Sequence, residues 1–244
     1  MTITIGILLC MGILFFANWI QGVSGFGRGL IAIPLLSFFI PIDQVIPMMI
    51  LTSILTTLLM YLKNRESTDI RKILPMSLLG IVGTTVGVAL LKALPVFHLK
   101  IIIGILIMLF AILIATGFSI RVKRMKLAFC VTGFISGFLS GSLSIGGPPV
   151  VFLFQGIREE KDAFRGNLSL FFLIVSLFSI LNLFLNGMVS GDILWYSLVF
   201  MPVILLGTLA GHLFSRKVNE IFFRKLVTIL LFLSGMSAVF FALV

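Results

Sequence analysis

The chain has 244 residues, 60% of them hydrophobic and only 11% charged, with a mean hydropathy of +1.26. A water-soluble globule must wrap its core in polar residues, so this composition excludes one and leaves a polytopic membrane protein. The net charge of +10 would suit nucleic acid, but the basic residues sit in short clusters between apolar stretches, where they set topology instead.

In chain order, the first apolar region covers residues 3–40. No positive charge precedes it, which argues against a cleavable signal peptide. It is interrupted by the glycine-rich run "GVSGFGRG" at residues 22–29. Unbroken spans follow at 44–61, 73–91 and 99–120. A second interrupted region, 127–155, breaks at "SGSLSIGGPP", and three further spans lie at 167–185, 193–214 and 226–244. Each unbroken span has the length and apolarity of a transmembrane helix.

The halves repeat. Gly22 falls on Gly141, Gly27 on Gly146 and Asp43 on Asp162 at an offset of 119 residues. At an offset of 124, "GTTVG" (83–87) falls on "GTLAG" (207–211), Lys92 on Arg216 and Lys100 on Arg224. Residues 1–120 and 121–244 therefore read as two copies of one unit, each a broken segment followed by three helices.

Charge orients the copies. The loops 63–72, 121–126, 158–165 and 216–225 hold 15 of the 18 lysines and arginines. If each broken segment crossed once, these clusters would divide almost evenly between the two faces. If each enters and returns to the face it left, all four become cytoplasmic. Only Lys92, Lys100, Asp43 and Asp192 then remain on the opposite face, as the positive-inside rule favours. A hairpin plus three crossings is an odd number, so the expected fold is all-α with two inverted repeats, both termini outside, and broken helices meeting near the midplane. Secondary transporters use this plan.

The limbs of the second break, 127–139 and 148–155, read as too short to cross alone. Pro148 and Pro149 suit the first turn of a returning half-helix, whose positive end and free amides would face an anion. The first break adds Arg28. No carboxylate lies at a matching depth, so Arg28 reads as an unpartnered cation beside two helix ends; the plainer alternative has it bonding backbone carbonyls or snorkelling outward. The expected substrate-binding residues are Asn18, Gln21, Ser24, Gly25, Gly27 and Arg28 from the first break, with Ser140, Ser142, Ser144, Gly146 and Gly147 from the second. Serine and glycine at such positions equally serve close helix packing.

No carboxylate pair, metal-ligand spacing or nucleophile with a base occurs in the spans, so neither an enzyme, a cofactor nor a metal site is expected. No nucleotide-binding loop is present, so ATP is not expected either. A coupling ion, proton or sodium, stays open, with His212 the one weak titratable candidate and His98 at an outer loop. The sequence does not choose between monomer and homodimer. Cys10 and Cys130 occupy nearly equivalent places in the halves, which raises the alternative of a membrane thiol–disulfide electron carrier. Both sit among apolar residues, a setting for buried thiols rather than a redox pair.

The segments "GVSGFGRGLIAIPLL" (22–36) and "GFISGFLSGSLSIGGPPVVFL" (133–153) resemble those of the sulfite exporter TauE/SafE family, and the resemblance covers nearly the whole chain. Pro34 and Pro149 stand where that family has prolines. Arg28 stands where members often have glycine, and Pro148 likewise replaces a frequent glycine. The resemblance implies a secondary carrier of small organic or sulfur-containing anions, such as sulfite, sulfonates or sulfoacetate, in the bacterial inner membrane.

Overall fold

In the computed structural model of the chain, the described residues are 2–116 and 124–215. The expected span at 226–244, the basic cluster 216–225, part of 121–126, and the matches of Lys92 and Lys100 to Arg216 and Arg224 lie outside them. The described residues form helices α1 (Thr2–Ser24), α2 (Arg28–Leu36), α3 (Ile42–Asn64), α4 (Ile70–Ala93), α5 (Val96–Ala115), α6 (Met125–Leu143), α7 (Gly147–Gly156), α8 (Lys161–Leu185) and α9 (Gly191–Phe214). A single 3-10 turn, Arg65–Ser67, joins α3 to α4. Six of these helices, α1, α3, α4, α6, α8 and α9, are long and apolar enough to cross a membrane. Leu185, Leu198 and Leu213 are among many large apolar side chains left exposed on their surfaces; lipid, unlike water, accommodates them.

Both breaks are shorter than the glycine content suggested. Gly22 remains helical in α1, as do Ser140, Gly141 and Ser142 in α6. The first limb of the second break is therefore 19 residues, about 28 Å at 1.5 Å per residue, so it is not too short to cross. The helices after the breaks are short: α2 has 9 residues and α7 has 10, about half a hydrocarbon thickness each. The glycines stay helical because they face a neighbouring helix backbone. Close approach, not chain reversal, is what they provide.

The chain divides into two compact units. One holds α1, α2, the first turns of α3, α5 and α9; the other holds the rest of α3 with α4, α6, α7 and α8. Each unit thus draws helices from both halves of the sequence.

In the second unit, α4 and α6 pack in parallel through glycines. A side chain at Gly133 would strike the Met76 carbonyl, one at Gly137 that of Gly80, and one at Gly141 that of Thr84. From the other helix, Gly83 abuts Phe134 and Gly87 abuts Phe138. Helix α8 runs parallel to α4 as well, since Gly80 meets Phe171, Thr84 Oγ1 lies 2.6 Å from Ser179 Oγ, and Lys92 Nζ donates to the Asn186 carbonyl at 3.1 Å. Helix α7 returns alongside α6, and Glu159, just beyond it, pairs with Lys72 at the start of α4 at 3.2 Å. Within this unit, α6 starts and α7 ends at the same end.

In the first unit, α1 and α9 also pack in parallel. Gly207 abuts the Phe15 carbonyl, Gly211 that of Trp19, and Gly22 that of Thr208. Trp19 then stacks obliquely on Phe214, with ring centroids 5.4 Å apart. The contacts repeat residue for residue: Gly83 with Phe134 and Gly207 with Phe15, Gly87 with Phe138 and Gly211 with Trp19, Gly141 with Thr84 and Gly22 with Thr208. The glycines of "GTTVG" and "GTLAG", visible in the sequence as a repeat, are the seats of these contacts.

Candidate functional site

The first break is built around Ser24. Its hydroxyl lies within donating distance of the Ile20 carbonyl (2.8 Å) and the Phe26 carbonyl (2.7 Å), and accepts from the Phe26 N–H (3.2 Å). Gly25 (φ 86°) and Gly27 (φ 93°) are both left-handed, a conformation a Cβ would strain. The Gly25 N–H closes the end of α1 on the Gln21 carbonyl at 2.6 Å. Ser24, Gly25 and Gly27 therefore have identified structural work: they end α1 and turn the chain into α2.

Arg28 is the first residue of α2 and only 5% exposed. It has interaction partners within the fold, so the unpartnered cation expected from the sequence is not what the fold contains. A guanidinium this buried requires such partners. Its place at a helix N-terminus sets its charge beside the positive end of the α2 dipole, where an anion would be favoured twice over. Asn18 is fully buried and Gln21 8% exposed on the last turns of α1.

The second break is built around Ser136, Ser140 and Gly146. Ser144 ends α6 in the left-handed conformation (φ 55°), its N–H bonded to the Ser140 carbonyl at 3.0 Å. Ser142 is fully buried and returns its hydroxyl to the Phe138 carbonyl at 2.7 Å. Ser136, which the sequence reading passed over, donates to the carbonyl of Gly146. A side chain at Gly146 would collide with Ser140 Oγ and the Ser136 carbonyl. Gly146 is thus a packing residue as well as the cap of α7. Pro148 and Pro149 follow Gly147 in the first turn, so α7 offers fewer N–H groups to a ligand than α2, whose first turn has no proline.

At one end of the second unit the α3–α4 and α7–α8 connections are tied together. The Asn167 amide nitrogen donates to Glu159 Oε1 (3.0 Å), and its oxygen accepts the Asp69 N–H (2.7 Å). Lys72 Nζ lies 3.2 Å from Glu159 and 3.9 Å from Asp69, while Asp69 caps α4 through the N–H groups of Arg71 and Lys72. Helix α8 begins at Lys161, earlier than the expected span at 167. Arg165, expected in a solvated loop, is instead a buried residue of its second turn with partners inside the fold.

A stripe of hydroxyls was also missed. Thr52, Thr56 and Thr57 of α3, Ser77 and Thr84 of α4, and Ser169, Ser176 and Ser179 of α8 are all buried. Ser53 donates to Ser176 at 2.8 Å. The available signal was their i, i+3, i+4 and i+7 spacing in otherwise apolar helices, which places them on common faces. Both cysteines are free: Cys10 is buried in α1 and Cys130 half-buried in α6.

Six membrane-capable helices, two half-length helices and polar residues buried at the breaks together define a multi-pass membrane protein. The chain belongs to the sulfite exporter TauE/SafE family, whose model matches residues 10–238, and so is a membrane transport protein. Among curated proteins it is similar to a probable sulfite/organosulfonate exporter TauE of Cupriavidus necator, at 24% identity over 209 residues, covering 81% of this chain and 79% of the relative. No solved structure matches the chain.

Proposed function

We propose that the chain is a secondary carrier that moves a small organic or sulfur-containing anion, of the sulfite, sulfonate or sulfoacetate class, across the bacterial inner membrane by alternating access. The observation that carries this reading is the buried Arg28 at the first turn of α2, just after two left-handed glycines. There a guanidinium and unobstructed helix amides favour negative charge together. The α2 end is the primary site in this reading. The α7 end, with two of its early N–H groups replaced by prolines, is by itself the weaker anion site. Family membership and the printed description of the Cupriavidus relative support the substrate class.

The inverted-repeat topology belongs to the same proposal. Shared ends for α6 and α7, and the residue-for-residue recurrence of the glycine contacts, support a re-entrant hairpin in each half with the basic loops cytoplasmic. Uptake of labelled sulfite, sulfoacetate, taurine and acetate into proteoliposomes, with and without a pH gradient, tests the function. Saturable uptake of at least one sulfur oxyanion is expected. Uptake of none of the four above protein-free liposomes would refute the reading.

A further inference from the structure

Asn18 and Gln21 each bury an acceptor oxygen that has no donor. The Asn18 side-chain nitrogen donates to the Leu14 carbonyl at 2.7 Å, which fixes the amide's orientation, because a carbonyl oxygen cannot face another carbonyl oxygen there. The remaining atom, Asn18 Oδ1, is buried without a hydrogen-bond partner, and so is Gln21 Oε1. The two residues are three apart on α1 and so share a face. Asn18 packs through its Cβ against Gly207 of α9. Two buried lone-pair groups with no donor repel an oxyanion, so these oxygens are not its ligands. An electropositive occupant is what they lack.

We propose that Asn18 Oδ1 and Gln21 Oε1 form part of a sodium site, and that sodium moves with the anion. The proposal rests on the anion-carrier reading above and names its coupling ion. Carbonyl-type oxygens are the ligands a hard cation takes, and discontinuous membrane helices offer them beside the substrate. A proton is the poorer occupant of these two oxygens, because amides do not titrate. His212, whose backbone packs against Gly22, is the titratable residue nearest to them by contact, while Asp43 and Asp192 stand in the first turns of α3 and α9. A cation bound near an anion also lowers the cost of taking either charge out of water.

The test is the thermal midpoint of the purified protein in detergent, measured in sodium, potassium and choline chloride at equal ionic strength. Sodium alone should raise the midpoint of the wild type. Asn18→Leu and Gln21→Leu should lose that rise while keeping a midpoint in choline no lower than the wild type's, since each removes an unsatisfied acceptor. Asn18→Asp, which keeps the oxygen and adds charge, should respond to sodium at lower concentration. Equal midpoints in the three salts, or an Asn18→Asp variant as unresponsive as Asn18→Leu, would overturn the proposal and leave the oxygens to water. Anion uptake that is identical with and without a sodium gradient would overturn the coupling but leave the carrier reading intact. Sodium-specific stabilisation without uptake of any anion would overturn the carrier reading and the coupling with it, and leave the sodium site standing.

Discussion

Lys72 Nζ lies 3.2 Å from Glu159 Oε1, joining the first turn of α4 to the residue that follows α7's terminal turn. Because α4 and α6 are parallel, this pair brings the exit of α7 to the end at which α6 begins. Single cysteines at Arg124 and Glu160, both exposed, in a background lacking Cys10 and Cys130, should label from the same side of the membrane. A third at Glu66, in the exposed turn before α4, should label with them. Arg124 and Glu160 labelling from opposite sides would mean the α6–α7 segment crosses once.

The same pair yields a stability prediction. Lys72 is 43% exposed at its side chain and Glu159 only 8%, so the ion pair itself contributes no more than about 1 kcal/mol. Glu159→Ala should cost more than Lys72→Ala, about 1–3 kcal/mol, because it strands the buried amide of Asn167. Thermal midpoints of the two variants check the order. Equal losses would show that Asn167 does not depend on Glu159.

The glycine contacts should tolerate no methyl group. Gly83→Ala, Gly137→Ala, Gly207→Ala and Gly211→Ala each drive a Cβ into a neighbouring backbone carbonyl, an overpacking of about 1–3 kcal/mol or more. Gly12→Ala meets nothing within 4 Å, and its helix should gain about 1 kcal/mol in propensity. Monodisperse yield in detergent should fall for the first four and hold for the last. A normal yield for Gly137→Ala would show that α4 and α6 can separate at little cost.

Gly146→Val bears on the second break. The structure makes it a packing variant, since its side chain meets Ser136 and Ser140, so folded yield should drop along with transport. Ser136→Ala is the sharper probe. It removes the hydroxyl that donates to the Gly146 carbonyl, and should lower the thermal midpoint by the equivalent of about 1 kcal/mol. Full stability of Ser136→Ala would leave the break held by other contacts.

Arg28 separates binding from folding. Its side chain is nearly fully buried, so Arg28→Ala leaves a void and should lower the thermal midpoint. If the guanidinium also holds the substrate, the alanine variant loses about 1.5–3 kcal/mol of binding as well, the value of a charged hydrogen bond. Arg28→Lys keeps the charge but not the planar fork, and should weaken binding by a smaller amount. Calorimetric affinity for the transported anion, beside the midpoints, checks both. An unchanged affinity with a lowered midpoint would make Arg28 structural.

The sequence by itself determined the solvent and most of the elements. Apolar runs of about 20 residues allow only helices in lipid, because every backbone group must be satisfied within its own segment. That is why α3, α4, α8 and α9 were legible to within a few residues at most ends, the start of α8 being six residues out. The breaks were legible as regions but not in extent: a glycine that opens a turn, such as Gly25 or Gly27, and a glycine that admits a neighbouring helix, such as Gly22 or Gly141, are identical in the sequence. Only their neighbours distinguish them, and those neighbours come from the other half of the chain. The tertiary structure likewise decided that Arg165 and Asn167 are buried, and that the lone pairs of Asn18 and Gln21 are left over. Periodicity reports which face of a helix is polar, whereas satisfaction of a polar atom depends on what another helix places against it.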